Sequence, residues 1–209
     1  MARPRAASYE DQRTHILRAA AGLFASRGYP TATMAEVALA SGVSKATLYH
    51  YFCDKYQLLF EIATDHVRKL ERLVGEVVVQ DAPPDQRLSA LILQFMRAYA
   101  DATDAHRVLT EDVKFLPLED RQAVEDAQRR VVRAFADAVA QVRPDLAPGL
   151  HKPLAMLLFG MMNWTFTWLR PEGALSHESL APWVVQLFAG GLASLPEARV
   201  SAPAPPDRA

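Results

Sequence analysis

The chain is 209 residues long, half of them hydrophobic and 22% charged, with a formal net charge of −1. That length suits one large or two small domains with a real core, and a single cysteine, Cys53, excludes internal disulfides and a cysteine-rich zinc site. The opening MARPRAASYEDQR lacks the apolar stretch of a secretory leader, and the most apolar run, 154–169, is broken by Gly160, Asn163 and Thr165 and is short for a membrane span. These features predict a cytoplasmic chain with no membrane partner, no cofactor and no metal. The net charge hides an asymmetry: residues 1–55 hold seven Arg and Lys against four Asp and Glu, and the remainder sixteen against twenty. A basic end can meet phosphate while an acidic remainder discourages nonspecific sticking, although a difference of this size also arises by chance.

The apolar period is helical nearly throughout, which predicts an all-α fold. A first helix over 10–26 buries Ile16, Leu17, Ala20, Leu23 and Phe24 and ends at Gly28. Thr33, with Glu36 three residues on, forms a capping box for a short second helix. Ser41-Gly42-Val43 makes a tight turn, Ser44 caps a third helix over 45–52, and Asp54 caps a long fourth over 55–79. Pro83-Pro84-Asp85 is the clearest break. Helices are then predicted over 85–102, 105–115, 118–142 and 152–169, with 144–149 a loop. A ninth starts at Ser179 as cap, which keeps Pro182 in a first turn, and ends near Pro196. The domains predicted are 1–54 for DNA binding, 55–196 for ligand binding and dimerisation, and a proline-rich disordered tail over 197–209.

Two short capped helices around a glycine turn make a helix-turn-helix, whose second helix enters the major groove. That helix offers Ser44, Lys45, Thr47, Tyr49 and His50 to phosphates and base edges, and Ala46 to a thymine methyl. Thr33, Ser44 and Lys55 stand at helix starts, where free N–H groups welcome phosphate. Arg3 and Arg5 form a short basic arm, read either as a minor-groove contact or as a solubilising terminus. Cys53 is either a redox-sensitive thiol or a filler at a helix end.

The run GYPTATMAEVALASGVSKATLYHYFCDKYQLLFEIA resembles the DNA-binding region of the TetR family, and the resemblance covers about residues 9–63. Cys53 departs from it, standing where small, proline or charged residues are more usual. The resemblance implies a nine-helix chain: three helices on DNA, a fourth linking to the sensor, and the last two forming a four-helix bundle with a second subunit. The homodimer would then bind double-stranded operator DNA and respond to a small-molecule effector.

The C-terminal half is rich in large apolar residues, among them Phe95, Tyr99, Phe115, Phe166 and Trp168, which are core by default and candidate pocket lining. The stretch from Gly160 to Ser176 resembles the pattern of a TetR subgroup that answers to acyl-coenzyme A thioesters, which makes such a thioester the candidate effector. Asn163 then holds either a thioester carbonyl or a structural bond to a neighbouring helix. Arg107, Lys114, Arg129 and Arg133 are candidate partners for coenzyme phosphates, or ordinary solvated cations. The N-terminal region also looks like regulators of phenylacetate degradation, which implies phenylacetyl-coenzyme A and control of a catabolic operon. Leu158, Met161, Thr165, Trp183, Leu187, Gly190 and Gly191 are the candidate dimer interface. The rival readings are a repressor induced by a free hydrophobic molecule, an enzyme, and a nucleoid protein. The scattered histidines offer no catalytic set, and a nucleoid protein needs more positive charge.

Overall fold

The computed structural model describes residues 3–170 and 173–196, with the backbone alone for residues 3–8. The tail at 197–209 lies outside the described residues, as do the side chains of Arg3 and Arg5. Among the described residues there is no strand. The helices are α1 (Arg3–Arg27), α2 (Met34–Ala40), α3 (Lys45–Tyr51), α4 (Lys55–Val78), α5 (Pro84–Asp101), α6 (Thr103–Glu111), α7 (Leu118–Val142), α8 (Pro148–Asn163), α9 (Thr165–Trp168) and α10 (His177–Ser194). Nine of these are full helices and α9 is a single turn, while a 3-10 turn, Val113–Phe115, follows α6.

The caps act as their residue types dictate. Thr33 and Glu36 close a reciprocal box at α2, Ser44 accepts from the Thr47 N–H at α3, and Asp54 accepts from the Gln57 N–H at α4. Gly28 and Gly42 take positive φ angles of 82° and 64°, which lets the chain leave α1 and turn between α2 and α3 without Cβ strain. Ile16, Ala20 and Phe24 from α1, Val37 from α2, Leu48 from α3 and Leu58 from α4 are almost completely buried and form the helix-turn-helix core.

The stripe of α4 continues through Ile62, Val67 and Leu70 into the second half of the molecule, where α4 packs on α5, α6 and α7. There Phe135 lies 4.8 Å, ring centre to ring centre, from both Phe95 and Phe159, joining α7, α5 and α8. α10 packs chiefly along α5, and α6 lies against α1, so the two halves touch at more than the α4 linker.

Five element boundaries differ from the sequence expectation. α1 starts at Arg3, so the basic residues ride on a continuous helical backbone rather than an extended arm. The helix expected over 105–115 is interrupted at Asp112 and tightens into the 3-10 turn. α8 starts at Pro148, because a proline at the first helical position loses no bond it would have made. The run expected to reach residue 169 breaks at Trp164, where the Thr165 hydroxyl donates to the Met162 carbonyl and competes with the helical ladder. Ser176, not Ser179, caps α10, leaving Pro182 inside the helix and exposed. We expect Phe135→Ala to cost about 3–5 kcal/mol, read as a lower urea midpoint with an unchanged slope at fixed protein concentration.

Candidate functional site

On α3, Lys45, Ala46, Tyr49 and His50 project to solvent while Leu48 is fully buried and fixes the helix on the core. The Ser44 and Thr47 hydroxyls lie 2.8 Å apart and bond to each other, so they are held at the start of α3. Tyr9 of α1 stacks on Tyr51 at 4.5 Å and meets His50 edge-on, which steadies the far end of α3. Thr33 is committed to its capping box with Glu36.

Lys55 has a different task from the phosphate contact expected of it. Its ammonium donates to the carbonyls of Tyr29, Pro30 and Ala32 at 2.9, 3.1 and 2.8 Å and lies 4.5 Å from the centre of the Tyr29 ring. An ammonium has three protons, so this lysine clamps the α1–α2 loop onto the start of α4. On the other side Tyr29 stacks on Phe115 at 5.6 Å, which ties the same loop to the end of α6. Arg13 of α1 pairs with Glu61 of α4 and faces the Phe52 ring.

A cavity of about 230 Å³ lies between α4, α5, α6, α7 and α8. Val67, Leu70, Leu109, Val131 and Phe159 give it apolar walls, and Tyr99, His106, Thr110, Gln128 and Asn163 give it a polar side. No Lys, Arg, Asp or Glu is among the described residues that line it. A larger crevice, about 550 Å³, opens between α1, α4 and the α5–α6 junction, with Arg18, Lys69, Asp65, Asp101 and Asp104 in its walls. The smaller cavity is the better effector candidate, because its lining is largely apolar with a few polar groups and it is more enclosed.

The polar side is a bonded cluster. The Tyr99 ring stacks on His106 at 3.7 Å, and its hydroxyl donates to Asn163 Oδ1 at 2.9 Å. His66 Nε2 and His106 Nδ1 lie 3.3 Å apart. Burial pushes His66 down to about 4, with help from the charge of Lys69. Burial pushes His106 down to about 3, so both rings are neutral at ordinary pH. Burial also holds the Tyr99 phenol well above its usual range. The histidines were passed over in the sequence as scattered; the available signal was His66 lying between Ile62 and Leu70 on the buried stripe of α4.

Of the candidate effector residues, Tyr99 and Asn163 line the cavity. Asn163 makes the interhelical bond, and the same residue faces the space. The others are elsewhere. Phe95 sits one layer deeper against Phe135 and Phe159. Phe166 packs edge-on to His106 from outside, with Arg107 over its face. Trp168 is exposed, Phe115 stacks on Tyr29, and Lys114 lies over the Phe115 ring. Arg107 pairs with Glu111, and Arg129 pairs with Asp126 and Glu125, the ordinary fate of surface cations. Arg133 is exposed, one residue from the lining Val132.

Met156, Leu157, Met161, Trp164 and Trp168 on α8–α9, and Trp183 and Leu187 on α10, are exposed apolar side chains. Gly190 and Gly191 are exposed on α10 as well. Two expected interface residues are corrected: Leu158 and Thr165 are buried inside the protomer. The helix phase is displaced by one residue, and Leu157 and Trp164 face outward instead.

Two buried neutral histidines link stability to acid. Once unfolded, each ring binds a proton below about pH 6.5, whereas the folded rings do so only near 4 and 3. The unfolded state therefore holds more protons in that window, and stability falls as pH drops from 6.5 toward 4. We expect a loss of roughly 2 kcal/mol per histidine between pH 6.5 and pH 5, and a flatter profile for His66→Phe in urea titrations across that range.

Residues 16–62 match the family model "Bacterial regulatory proteins, tetR family", and residues 81–192 match "Tetracyclin repressor-like, C-terminal domain". The chain is similar to the transcriptional activator FasR of Mycolicibacterium smegmatis, 26% identical over 91% of this chain and 87% of that one. It is similar in structure to a TetR-family regulator from Bordetella parapertussis, with a TM-score of 0.81 and 36% identity over 89% of this chain and 98% of that one. It is also similar to AibR in complex with isovaleryl coenzyme A and operator DNA, with a TM-score of 0.73 and 27% identity over 84% and 97%. The helix-turn-helix, the helical second half and these matches together make the chain a member of the TetR family of transcriptional regulators, not an enzyme.

Proposed function

We propose that this chain is a cytoplasmic homodimeric repressor that binds a pseudo-palindromic operator and is released by an acyl-coenzyme A thioester, with phenylacetyl-coenzyme A the first effector to test and a catabolic operon the target. The observation that carries the reading is the neutral, half-apolar cavity whose wall helix α6 is also docked on the DNA-binding half. AibR, a structural relative, is described with isovaleryl coenzyme A and operator DNA, which supports the effector class. The acyl part would occupy the cavity. The charged nucleotide would stay outside it, since nothing cationic lines the space. Arg133, beside Val132, and Arg129, beside Gln128, are adjacent in sequence to lining residues of α7 and would be the cations to offer a phosphate.

DNA binding by such a dimer requires two recognition helices about 34–36 Å apart. The α3 faces presenting Lys45, Ala46, Tyr49 and His50 would read the grooves, with the start of α3 toward phosphate. A ligand that binds better when α6 and α4 have shifted changes that spacing, through Tyr29 and Phe115 on one side and Leu58 and Lys55 on the other. A coupling of about 1–3 kcal/mol lowers operator affinity between roughly 5- and 150-fold.

Titration with phenylacetyl-coenzyme A is expected to give saturable heat and to release the protein from its own promoter fragment, with isovaleryl-coenzyme A and free phenylacetate as comparisons. Silence with every thioester would sink the thioester reading, and binding of an uncharged hydrophobe alone would replace it. A promoter fusion gives the sign, and activation by the ligand-free protein would overturn repression. For the dimer, the exposed apolar face of α8 and α10 is the expected seam. Leu187→Asp is expected to yield monomers by light scattering and at least a tenfold loss of operator binding, because a charge buried in the seam is unpaired; an unchanged dimer would place the seam elsewhere.

A further inference from the structure

The cluster at the polar end of the cavity leaves one group unsatisfied. His106 is 3% exposed and its Nε2 is buried without a hydrogen-bond partner, although the residue lines the cavity. Buried polar atoms in folded proteins nearly always find partners, so this nitrogen is the position where a bound molecule gains most.

What it offers depends on where its proton sits. Two neutral imidazoles joined through His66 Nε2 and His106 Nδ1 share one proton in that bond. If His66 donates, His106 carries its proton on Nε2 and both rings hold the Nε2–H form, which neutral imidazole intrinsically prefers. The opposite arrangement puts both rings in the less stable form. It also turns the remaining N–H of His66 into the field of Lys69, whose charge already disfavours extra positive charge on that ring. His66 therefore donates, and His106 keeps its proton on the unpartnered Nε2, a buried donor on a residue that lines the cavity. Asn163 acts in the same sense: its oxygen takes the Tyr99 hydroxyl proton, so its NH2 is the group left to offer. The Thr110 hydroxyl proton is spent on the His106 carbonyl. The polar lining thus offers two donors, on His106 and Asn163, and carries no Lys, Arg, Asp or Glu among the described residues.

We infer that the cavity takes a neutral acyl compound, whose carbonyl oxygen accepts from His106 Nε2–H with Asn163 beside it, that His66 fixes the His106 proton in place, and that the corresponding free carboxylate is refused. The refusal follows from the lining: a carboxylate here would be desolvated with no Lys or Arg to meet it. Neither histidine would supply the charge, because burial keeps both neutral. The regulator would in this way sense the activated or esterified form of an acid and ignore the acid itself. This rests on the effector reading above, but makes a narrower claim about atoms.

The test uses the full chain with 15N-labelled histidine. The probes are the N-acetylcysteamine thioesters of phenylacetate and isovalerate, the matching S-(2-phenylethyl) thioether without a carbonyl, and sodium phenylacetate. Wild type is expected to prefer the phenylacetyl or isovaleryl thioester over thioether and free acid by about tenfold or more, the scale of one hydrogen bond in a dry site, with the His106 Nε2 resonance moving on binding. His106→Phe keeps a ring to stack on Tyr99 and is expected to lose the preference for the carbonyl, while His106→Gln, which restores a donor, recovers part of it. Operator binding without ligand reports that each variant is folded. A thioester that binds equally well to His106→Phe, or leaves the His106 resonance in place, overturns this inference while the repressor reading stands. Free phenylacetate binding as tightly as its thioester also overturns it. Failure of both thioesters at millimolar concentration overturns the acyl reading and this inference together.

Discussion

A single helix runs through both halves of one continuous hydrophobic core. The 24 residues of α4 place Leu58 and Leu59 among the helix-turn-helix residues and Val67, Leu70 and Val77 among the sensor residues, on one continuous stripe. Such a stripe cannot slide relative to either half of that core without exposing apolar surface, and close-packed interiors resist partial displacement. The orientation of the recognition helix is therefore set by the same element that walls the cavity through Val67 and Leu70. Any motion that relieves or strains the cavity wall has a lever on α3.

The second tie between the halves is polar and aromatic. The Lys55 ammonium gathers three carbonyls of the loop between α1 and α2, and Tyr29 of that loop is held between Phe24, Lys55 and Phe115. The loop is thus anchored to α4 on one side and to the turn after α6 on the other. Loop carbonyls that no helical ladder satisfies become the ligands of a cation.

The cavity is unusual less for its size than for its lack of charge. At two of its polar residues the acceptor is consumed inside the protein and a donor remains, through the His66–His106 and Tyr99–Asn163 bonds. Burial keeps the histidines neutral, and the stacking of His106 on Tyr99 holds that ring in place. Such networks stabilise most when complete, and His106 Nε2 is the member of this one without a protein partner.

Much was legible in the sequence wherever the physics is local. Thr33 with Glu36, Ser44 and Asp54 announce their helices because a cap depends only on residues three positions apart, and Gly28 and Gly42 mark turns because a positive φ excludes other side chains. The helical period assigned the bulk of α4 and α7, and with the motif it gave the fold and the family-level function. Tertiary structure decided the rest. Whether Leu157 or Leu158 faces outward depends on where α8 starts and breaks, which neighbouring helices set. Lys55 reads as a free cation until the loop carbonyls of residues 29–32, distant in sequence, are brought to it. His66 and His106 lie 40 residues apart and look like unrelated polar exceptions until α4 and α6 pack. The sequence by itself determined which segments are helical and where α2, α3 and α4 are capped and the chain turns, because those depend on neighbours along the chain; where α8 and α10 begin, which polar atoms meet, and which one is left unpartnered beside the cavity depend on contacts across it, and only the packed structure decides them.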